Sequence, residues 1–375
     1  MTQTGNSGFL LFSGANDRAV IALCRGMTRY GVPFGLIGRN GNDLLKRSSY
    51  ADHYLLDRAS ERLEFDEILE ATSRARQRYG VQDWVICPTS EYLNIVLFAM
   101  RDRLEKEGIK LATCDEALYT RVSDKLQFRK YCAELGVPAP ELLTDGVEGL
   151  PVHPFVAKPR QNLSRTGRIL YPYLVRTAEQ RMDFRRGSEI EEFYFERFVE
   201  GESWYLLYHV DARGQVAHGA QRNFLQQGKG KSIVVARAMP YPEPEVCERF
   251  ASRLVADGYR GFIMVEIRRT SEGEPVAIEA NPRCWGPFQL TIDARMGLFE
   301  AFLRDHGHDV PDTGSARRSF YCWTGGIVQA IRSGKGLDRH GSALVLPGIL
   351  LKALVSDVYA RRDAWSCFST DLWAN

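Results

Sequence analysis

Two short apolar runs of the chain each carry a side chain that could bind a metal ion. Glu266 lies within residues 261–268, and Glu279 and Asn281 lie within Pro275–Asn281. The short polar link between the runs contains glycine, so we expect a β-hairpin. Side chains alternate along a strand, which places Glu279 and Asn281 on one face beside Glu266. Such a cluster of oxygens is costly without a cation and suits Mg²⁺. The apolar flanks favour a metal site over the alternative, a solvated sheet face with ordinary polar residues.

An arginine, Arg283, follows this cluster two residues after Asn281. A guanidinium beside metal-bridged phosphates could stabilise the charge that moves during phosphoryl transfer. A surface arginine is the alternative. The next residue, Cys284, is expected to be a core thiol, because the predicted chemistry needs no protein nucleophile.

The elements that position these residues begin with an α/β pattern. An apolar run at residues 9–12 is followed by a helical pattern over Asp17–Tyr30 and a second apolar run at 32–37. Strand, helix, strand in this order opens a doubly wound sheet. A further buried strand at 84–87 leads to the prediction that residues 1–115 form a Rossmann-like domain.

Ligands of such a domain bind beyond the carboxyl ends of its strands, which places the loops 13–16 and 89–91 at one rim. The first strand is followed by a lone Gly14 and no glycine-rich fingerprint, so a dinucleotide site is not predicted. The two loops either shape a substrate pocket or simply connect strands to helices.

The sequence pattern changes after Ser123, where strand-like runs predominate over helical ones. Runs of strands with few helices predict antiparallel, α+β domains. The overall expectation is an α/β Rossmann-like domain followed by α+β domains with antiparallel sheets. The chain after residue 316 has mixed character, with a predicted helix at 347–361, and no chemistry is assigned to it.

The bulk properties are those of a globular protein. The chain has 375 residues, a formal net charge of +2 and eight scattered cysteines with no close pair. We therefore expect reduced cysteines that act as core residues, a cytoplasmic location, and no binding to nucleic acid or membranes.

The order of several short motifs resembles the ATP-grasp superfamily, and most closely its carboxylate–amine ligases, which share parts with carbamoyl phosphate synthetase and biotin carboxylase. The motifs are, in order, Asp124-Lys125, Val156-Ala157-Lys158-Pro159, the segment from Glu196 to Glu202, Glu266, and Glu279-Ala280-Asn281-Pro282-Arg283. The resemblance implies four regions. Residues 1–115 are the Rossmann-like domain that precedes the ATP-grasp part, 116–195 are its small subdomain, 196–316 are its large subdomain with the metal site, and 317–375 are a C-terminal extension.

The resemblance also implies residue roles, with ATP and Mg²⁺, or Mn²⁺, as cofactors. Lys125 and Lys158 are similar to the two phosphate lysines, and Lys158, on an apolar strand, is expected to have an anionic partner. The backbone of Phe198 and Val199 would bind the adenine edge. The resemblance assigns the adenine amine to Glu196, the ribose to Glu202, and the metal to Glu266, Glu279 and Asn281. Arg222 is similar to an arginine near the transferred phosphate or the substrate carboxylate, and a surface arginine is the alternative. The loop 160–167 has one glycine where many relatives have a glycine-rich loop, and Ser164 in it could contact phosphate by its side chain.

The implied activity is ligation of a small-molecule carboxylate to a small-molecule amine through an acyl phosphate, with release of ADP and phosphate. A kinase and a catalytically silent nucleotide-binding regulator are the alternatives. The regulator is disfavoured because it needs fewer of the four residues Glu266, Glu279, Asn281 and Arg283. A homodimer is consistent with the resemblance.

Overall fold

The structure is a computed structural model that describes residues 7–41, 43–60, 63–143, 150, 154–160, 170–187, 189–228, 230–340 and 346–373. Within them the chain forms three sheets, one parallel and two antiparallel. This confirms the coarse expectation of an α/β region followed by antiparallel α+β regions. No helix of the described residues is long and apolar enough to cross a membrane.

The first sheet is parallel and has five strands in the order β3-β2-β1-β4-β5. The strands are β1 (Gly8–Phe12), β2 (Phe34–Gly38), β3 (Tyr54–Asp57), β4 (Trp84–Ile86) and β5 (Ile109–Leu111). Its helices are α1 (Asp17–Tyr30), α2 (Phe65–Tyr79), α3 (Glu91–Phe98) and α4 (Arg101–Lys106). The central strand β1 is buried along its whole length because helices cover both faces of the sheet.

Helix α1 ends where its sequence predicts. Gly31 adopts a left-handed conformation with φ 65°, and its amide donates to the carbonyls of Met27 and Thr28. Glycine is favoured at this position because it has no Cβ to clash. The helical stretch that begins at Glu91 consists of two helices, α3 and α4, with a break near Met100.

The second sheet, called here the small sheet, has three antiparallel strands in the order β7-β6-β8. Two helices precede it, α5 (Glu116–Ser123) and α6 (Lys125–Glu134). The small sheet consists of β6 (Phe155–Pro159), β7 (Tyr173–Val175) and β8 (Phe193–Arg197), with α7 (Ala178–Gly187) between the last two. It has its own core, in which Phe155, Phe184 and Phe193 pack together.

The third sheet, called the large sheet, runs β13-β12-β9-β10-β11-β14, with β15 paired to β10. Its strands are β9 (Glu202–Val210), β10 (Val216–Gln227), β11 (Ile233–Ala238), β12 (Gly261–Arg269), β13 (Pro275–Asn281), β14 (Phe320–Cys322) and β15 (Leu337–Arg339). The helices of this part are α8 (Pro244–Ala256), α9 (Phe288–Asp293), α10 (Leu298–Asp305), α11 (Thr324–Arg332), α12 (Leu346–Leu354) and α13 (Trp365–Trp373).

The strands and helices revise the boundaries between the predicted regions. The boundary between residues 195 and 196 falls inside β8, which hydrogen-bonds to β6 of the small sheet. Helices α5 and α6, assigned to the small subdomain, pack against β13 of the large sheet. The C-terminal extension supplies two strands, β14 and β15, to the large sheet. The helix predicted at 347–361 is shorter and ends at Leu354.

All eight cysteines are buried and free, as the composition suggested. Burial raises the pKa of each thiol, to about 11 for Cys247 and to about 12 for Cys132. Cys284, beside the predicted site, is fully buried, and burial likewise raises its pKa. A thiol in this state is a poor nucleophile at neutral pH. These properties agree with a packing role for Cys284.

Candidate active site

A cleft of about 710 Å³ lies between the small sheet and the large sheet. Its walls come from β6, from the segment that joins β8 to β9, from the β12–β13 hairpin, and from the residues around β15. Seven predicted site residues line it: Lys158, Glu196, Phe198, Val199, Glu202, Glu266 and Glu279. Residues far apart in the sequence therefore meet at this one place.

The two predicted metal carboxylates lie directly opposite each other. Glu266 of β12 pairs with Glu279 of β13 across the antiparallel ladder. Glu266 is only 6% exposed, and burial raises the pKa of its carboxyl group, with the charge of Glu279 acting in the same direction. Two like charges directly opposite each other destabilise a sheet unless cations balance them.

The hairpin extends this cluster to Asn281 and Arg283. The Nδ2 of Asn281 donates to Oε1 of Glu279 at 3.0 Å, and Nη2 of Arg283 donates to Oδ1 of Asn281 at 3.1 Å. The Nη1 of Arg283 donates to the carbonyl oxygen of Cys284 at 3.2 Å, which holds the guanidinium beside the strand. These contacts join Glu279, Asn281 and Arg283 in one connected group, and Glu266 faces Glu279 across the ladder.

The donor set can be compared with the needs of a magnesium ion. Among the described residues no group of three His, Cys, Asp or Glu side chains could hold a metal ion. The two carboxylates and one amide oxygen are hard ligands, and Mg²⁺ is commonly bound by one or two carboxylates and completed by water and phosphate oxygens. Glu266, Glu279 and Asn281 therefore fit a metal that arrives with phosphates, and fit poorly a metal held by the protein alone.

The predicted phosphate lysine Lys158 has the anionic partner that its apolar strand requires. Its Nζ lies 2.7 Å from Oε2 of Glu196, and both side chains are almost fully buried, with 6% and 5% exposed. The same Nζ donates to the carbonyl oxygen of Ile278 at 3.3 Å. Lys158 thus links the small sheet to β13, one residue before Glu279.

The segment between β8 and β9 carries the two residues whose backbone is predicted to bind adenine. The amide of Phe198 donates to the carbonyl oxygen of Pro154 at 3.2 Å, so it already has a backbone partner. Among the hydrogen bonds of the described residues, none is made by the amide of Val199.

Glu202 and Arg222, predicted to act on different groups, bind each other. Their ion pair is 2.5 Å long, and Nε1 of Trp204 donates to the other oxygen of Glu202 at 3.1 Å. Arg222 pairs with Trp204 across the β9–β10 ladder, and Trp204 pairs with Ile267. Arg222 therefore lies on the face of the large sheet opposite Glu266, and the structure does not bring it to the carboxylates.

Besides Arg222, Asn281 and Arg283, two further predicted residues are not among those that line the cleft. Lys125 is the first residue of α6, is partly buried, and is not among the residues that line the cleft. The start of α6 is nevertheless near: burial raises the pKa of Tyr194, and the carboxylates of Glu196, Asp124 and Glu279 act on it in the same direction. Ser164, and the loop around it, lie outside the described residues.

The sequence alone did not identify several polar residues of the cleft: Arg176, Arg268, Asp338, Arg339 and His340. Arg268 could have been found, because it stands two residues after Glu266 on a strand and must share its face. Its Nη2 lies 3.0 Å from Oε1 of Glu266. The residues at 338–340 carry no local signal, since β15 is three residues long and is defined only by its pairing with β10.

The rim of the parallel sheet meets the site from the other side. The Nδ2 of Asn16 donates to the carbonyl oxygens of Thr89 and Cys284, each at 3.1 Å. The amide of Cys284 donates to the carbonyl oxygen of Pro88 at 2.9 Å. The expectation that the two loops lie at one rim is confirmed, and that rim contacts the residue after Arg283.

Solved structures share this fold. Biotin carboxylase from Campylobacter jejuni, solved as a β-γ-ATP complex, matches with a TM-score of 0.60 and 15% identity over 84% of this chain and 75% of its own. The biotin carboxylase domain of Hydrogenobacter thermophilus 2-oxoglutarate carboxylase, solved with MgADP, ADP and bicarbonate, matches with a TM-score of 0.60 and 14% identity over 85% of this chain and 74% of its own.

A third similar structure is N5-carboxyaminoimidazole ribonucleotide synthetase from Thermus thermophilus, with a TM-score of 0.58 and 20% identity over 84% of this chain and 82% of its own. No protein-family model and no curated protein sequence matches the chain. Identities this low show a common fold. The chain therefore has the same fold as these three solved proteins.

Proposed function

We propose that the protein is an ATP- and magnesium-dependent ligase that joins a small carboxylate to a small amine. The observation that carries the proposal is the cleft between the two antiparallel sheets. It gathers the buried Lys158–Glu196 pair and the opposed carboxylates Glu266 and Glu279 around a volume of about 710 Å³. A pocket of this size suits a nucleotide-sized ligand. The solved proteins with this fold include enzymes described in complex with ATP or with MgADP.

In the proposed site the nucleotide lies across the cleft with its base against the β8–β9 segment. The amide of Val199 donates to the adenine ring, and Glu196 accepts from the exocyclic amine while it remains paired with Lys158. Lys158 contacts the phosphates from the small sheet. Lys125, Ser164 and Glu202 keep their predicted roles toward phosphate and ribose, whereas the position of Arg222 favours a role in holding Glu202.

The proposed metal residues are Glu266, Glu279 and Asn281. A bound Mg²⁺, or Mn²⁺, would neutralise phosphate charge and orient the terminal phosphate. Arg283, held beside Asn281, is the side chain best placed to balance charge on the transferred phosphoryl group. These residues supply orientation and charge, and the reaction needs no protein nucleophile.

The proposed chemistry has two steps. An oxygen of the substrate carboxylate attacks the γ-phosphorus, the bond to the β-phosphate oxygen breaks, and ADP leaves with the formation of an acyl phosphate. The amine nitrogen then attacks the acyl carbon, phosphate leaves, and the nitrogen loses a proton. We propose that the rim of the Rossmann-like first region, at Asn16 and Thr89, borders the substrate pocket, because it contacts the residue after Arg283.

The experiment that tests this function measures phosphate release with pooled acids and pooled amines, alone and together. Bicarbonate belongs among the acids, since one of the proteins with this fold was solved with bicarbonate. The proposal expects ADP and phosphate to form only when an acid and an amine are both present, together with a product of the mass of an amide or carbamate.

Two other outcomes would contradict the ligase. A phosphorylated product that forms without any amine would identify a kinase. Measurable ATP binding with no turnover in any pool would identify a regulator. The presence of a complete group from Glu266 to Arg283 favours turnover over mere binding, because binding alone needs fewer of these residues.

A further inference from the structure

An arginine that belongs to none of the predicted motifs is bound to one of the two opposed carboxylates. Arg268 follows Glu266 by two residues on β12, and its Nη2 lies 3.0 Å from Oε1 of Glu266. The two side chains are 13% and 7% exposed. A nearly buried ion pair of this kind is strong and well ordered only when further hydrogen bonds fix its geometry.

Those further hydrogen bonds come from the C-terminal extension. The Nη1 of Arg268 lies 2.7 Å from Nδ1 of His340, and Nε2 of His340 lies 2.9 Å from Oε1 of Gln226. A guanidinium can only donate, so Nδ1 of His340 accepts and its proton is on Nε2. The Nε2 of Gln226 donates in turn to the carbonyl oxygen of Lys231 at 2.7 Å. The chain of bonds therefore has a single consistent direction and holds Arg268 against Glu266.

The charges around the pair are balanced when no metal is bound. The two carboxylates, Glu266 and Glu279, are matched by the two guanidinium groups of Arg268 and Arg283, each within hydrogen-bonding distance of a member of the same cluster. The nearby Lys158, whose charge also acts on Glu266, is matched by its own partner Glu196. A divalent cation that entered alone would leave an excess of positive charge in a largely buried site. The phosphates of a nucleotide would restore the balance.

We propose that Arg268 is an internal counter-ion that makes metal binding at Glu266 and Glu279 depend on nucleotide phosphates. His340 is the positioning residue that keeps Arg268 on Glu266. The inference rests on the proposed ATP site and deepens it, because it assigns to the C-terminal extension a part in controlling the metal. Free Mg²⁺ or Mn²⁺ is kept out until a phosphate chain arrives with it.

The test measures Mn²⁺ binding to the nucleotide-free protein, by the loss of the electron paramagnetic resonance signal of free Mn²⁺. Arg268→Gln should bind Mn²⁺ about tenfold or more tightly than the wild type, because one nearby positive charge is removed at low effective dielectric. Arg268→Lys keeps the charge and should stay near the wild-type affinity. His340→Ala should give an intermediate gain, because Arg268 loses the acceptor that holds it.

The matched control is Arg269→Gln, which removes the same charge from the next residue of the strand. Arg269 points to the other face and pairs with Glu243 at 2.6 Å, so its loss should leave the Mn²⁺ affinity unchanged. The double variant Glu266→Gln with Arg268→Gln should not show the gain in Mn²⁺ affinity that Arg268→Gln shows alone. Thermal unfolding of each variant shows whether it is folded.

The outcomes separate this inference from the function on which it rests. If wild-type protein binds Mn·ADP but Arg268→Gln binds free Mn²⁺ no more tightly than wild type does, the counter-ion role is wrong while the nucleotide site stands. An equal gain in Mn²⁺ affinity for Arg269→Gln would also overturn the counter-ion role, because the removal of any nearby positive charge would then have the same effect. If the wild type binds no Mn·ADP at all, the nucleotide site and this inference both fail.

Discussion

At the scale of single residues, the site is built from charged groups that would be costly if any partner were missing. Glu266 is paired with Arg268, and Lys158 with Glu196, and these side chains are almost fully buried. Removing one member of a buried pair leaves an uncompensated charge, whereas exchanging both members for neutral groups costs much less. Single and paired substitutions therefore distinguish a role in folding from a role in binding.

Glu279→Gln should reduce phosphate release by at least about 100-fold, because it removes a metal-ligand charge while keeping the shape of the side chain. It also removes a like charge opposite Glu266, so the midpoint of thermal unfolding should not fall. Glu274→Gln, an exposed carboxylate in the turn of the same hairpin, is the matched control and should behave as wild type. A wild-type rate for Glu279→Gln at ordinary Mg²⁺ would contradict the metal assignment.

Lys158→Ala should weaken ATP binding at least tenfold and lower the free energy of unfolding by about 3 kcal/mol, because Glu196 is left buried and unpaired. Lys158→Met combined with Glu196→Gln should recover most of that stability and none of the ATP affinity. Equilibrium denaturation and calorimetric titration with an ATP analogue measure the two effects. An unchanged ATP affinity in either variant would mean that Lys158 does not contact the nucleotide.

At the scale of elements, the sequence was informative where hydrophobic periodicity is strong. The bounds of α1 and the β12–β13 hairpin follow from alternation and from glycine signals, and the structure agrees closely. The placement of Arg222 came from family resemblance and ignored the face of its strand. Its cross-strand partner Trp204 is buried on the opposite side from Glu266, and this could be learned only from the register of β9 and β10.

The first turn of α1 carries a carboxylate that lowers the free energy of unfolding by an amount that depends on pH. Burial raises the pKa of Asp17 to about 6 from its ordinary value of 3.8. A raised pKa means that the folded state binds the proton more tightly than the unfolded state. The destabilisation of the folded state by the ionised carboxylate is therefore absent below pH 4, grows between pH 4 and 6, and is complete above pH 6.

Asp17→Asn should accordingly stabilise the protein by about 2 kcal/mol at pH 7.5 and have little effect at pH 4. The amide oxygen can still accept from the amide of Gly14, as Oδ1 of Asp17 does at 2.6 Å. Urea unfolding at the two pH values measures the difference. Equal effects at both values would show that the carboxylate is not the source of the destabilisation.

At the scale of the whole molecule, the cleft is bridged by contacts between the small sheet and the C-terminal extension. Arg176, just after β7, pairs with Asp338 of β15 at 3.2 Å, and its guanidinium lies 4.9 Å from the ring centre of Phe198. Nothing in the local sequence predicts this, because both residues stand in short, irregular stretches. The C-terminal extension, to which no chemistry was assigned, thus forms one wall of the candidate site.

Breaking this bridge should change the motion of the small sheet more than the stability of the fold. Arg176 is 45% exposed, and ion pairs of that kind contribute less than about 1 kcal/mol. Asp338→Asn should leave the free energy of unfolding within that range and raise the dissociation rate of an ATP analogue a few-fold. Stopped-flow displacement measures the rate. Glu70→Gln, which breaks an exposed ion pair in α2, is the control. An equal rise in the dissociation rate for Glu70→Gln would contradict a role of the Arg176–Asp338 bridge.

The burial of all eight thiols also makes the molecule convenient for spectroscopy. Maleimide reagents react with thiolates, and native thiols with raised pKa values and little or no exposure will react slowly at neutral pH. Cysteines introduced at two exposed sites, for example Glu179→Cys in α7 and Glu245→Cys in α8, should therefore take up probes selectively without removal of a native residue. A fluorophore pair at these positions would report the separation of the small and large sheets directly as ligands are added.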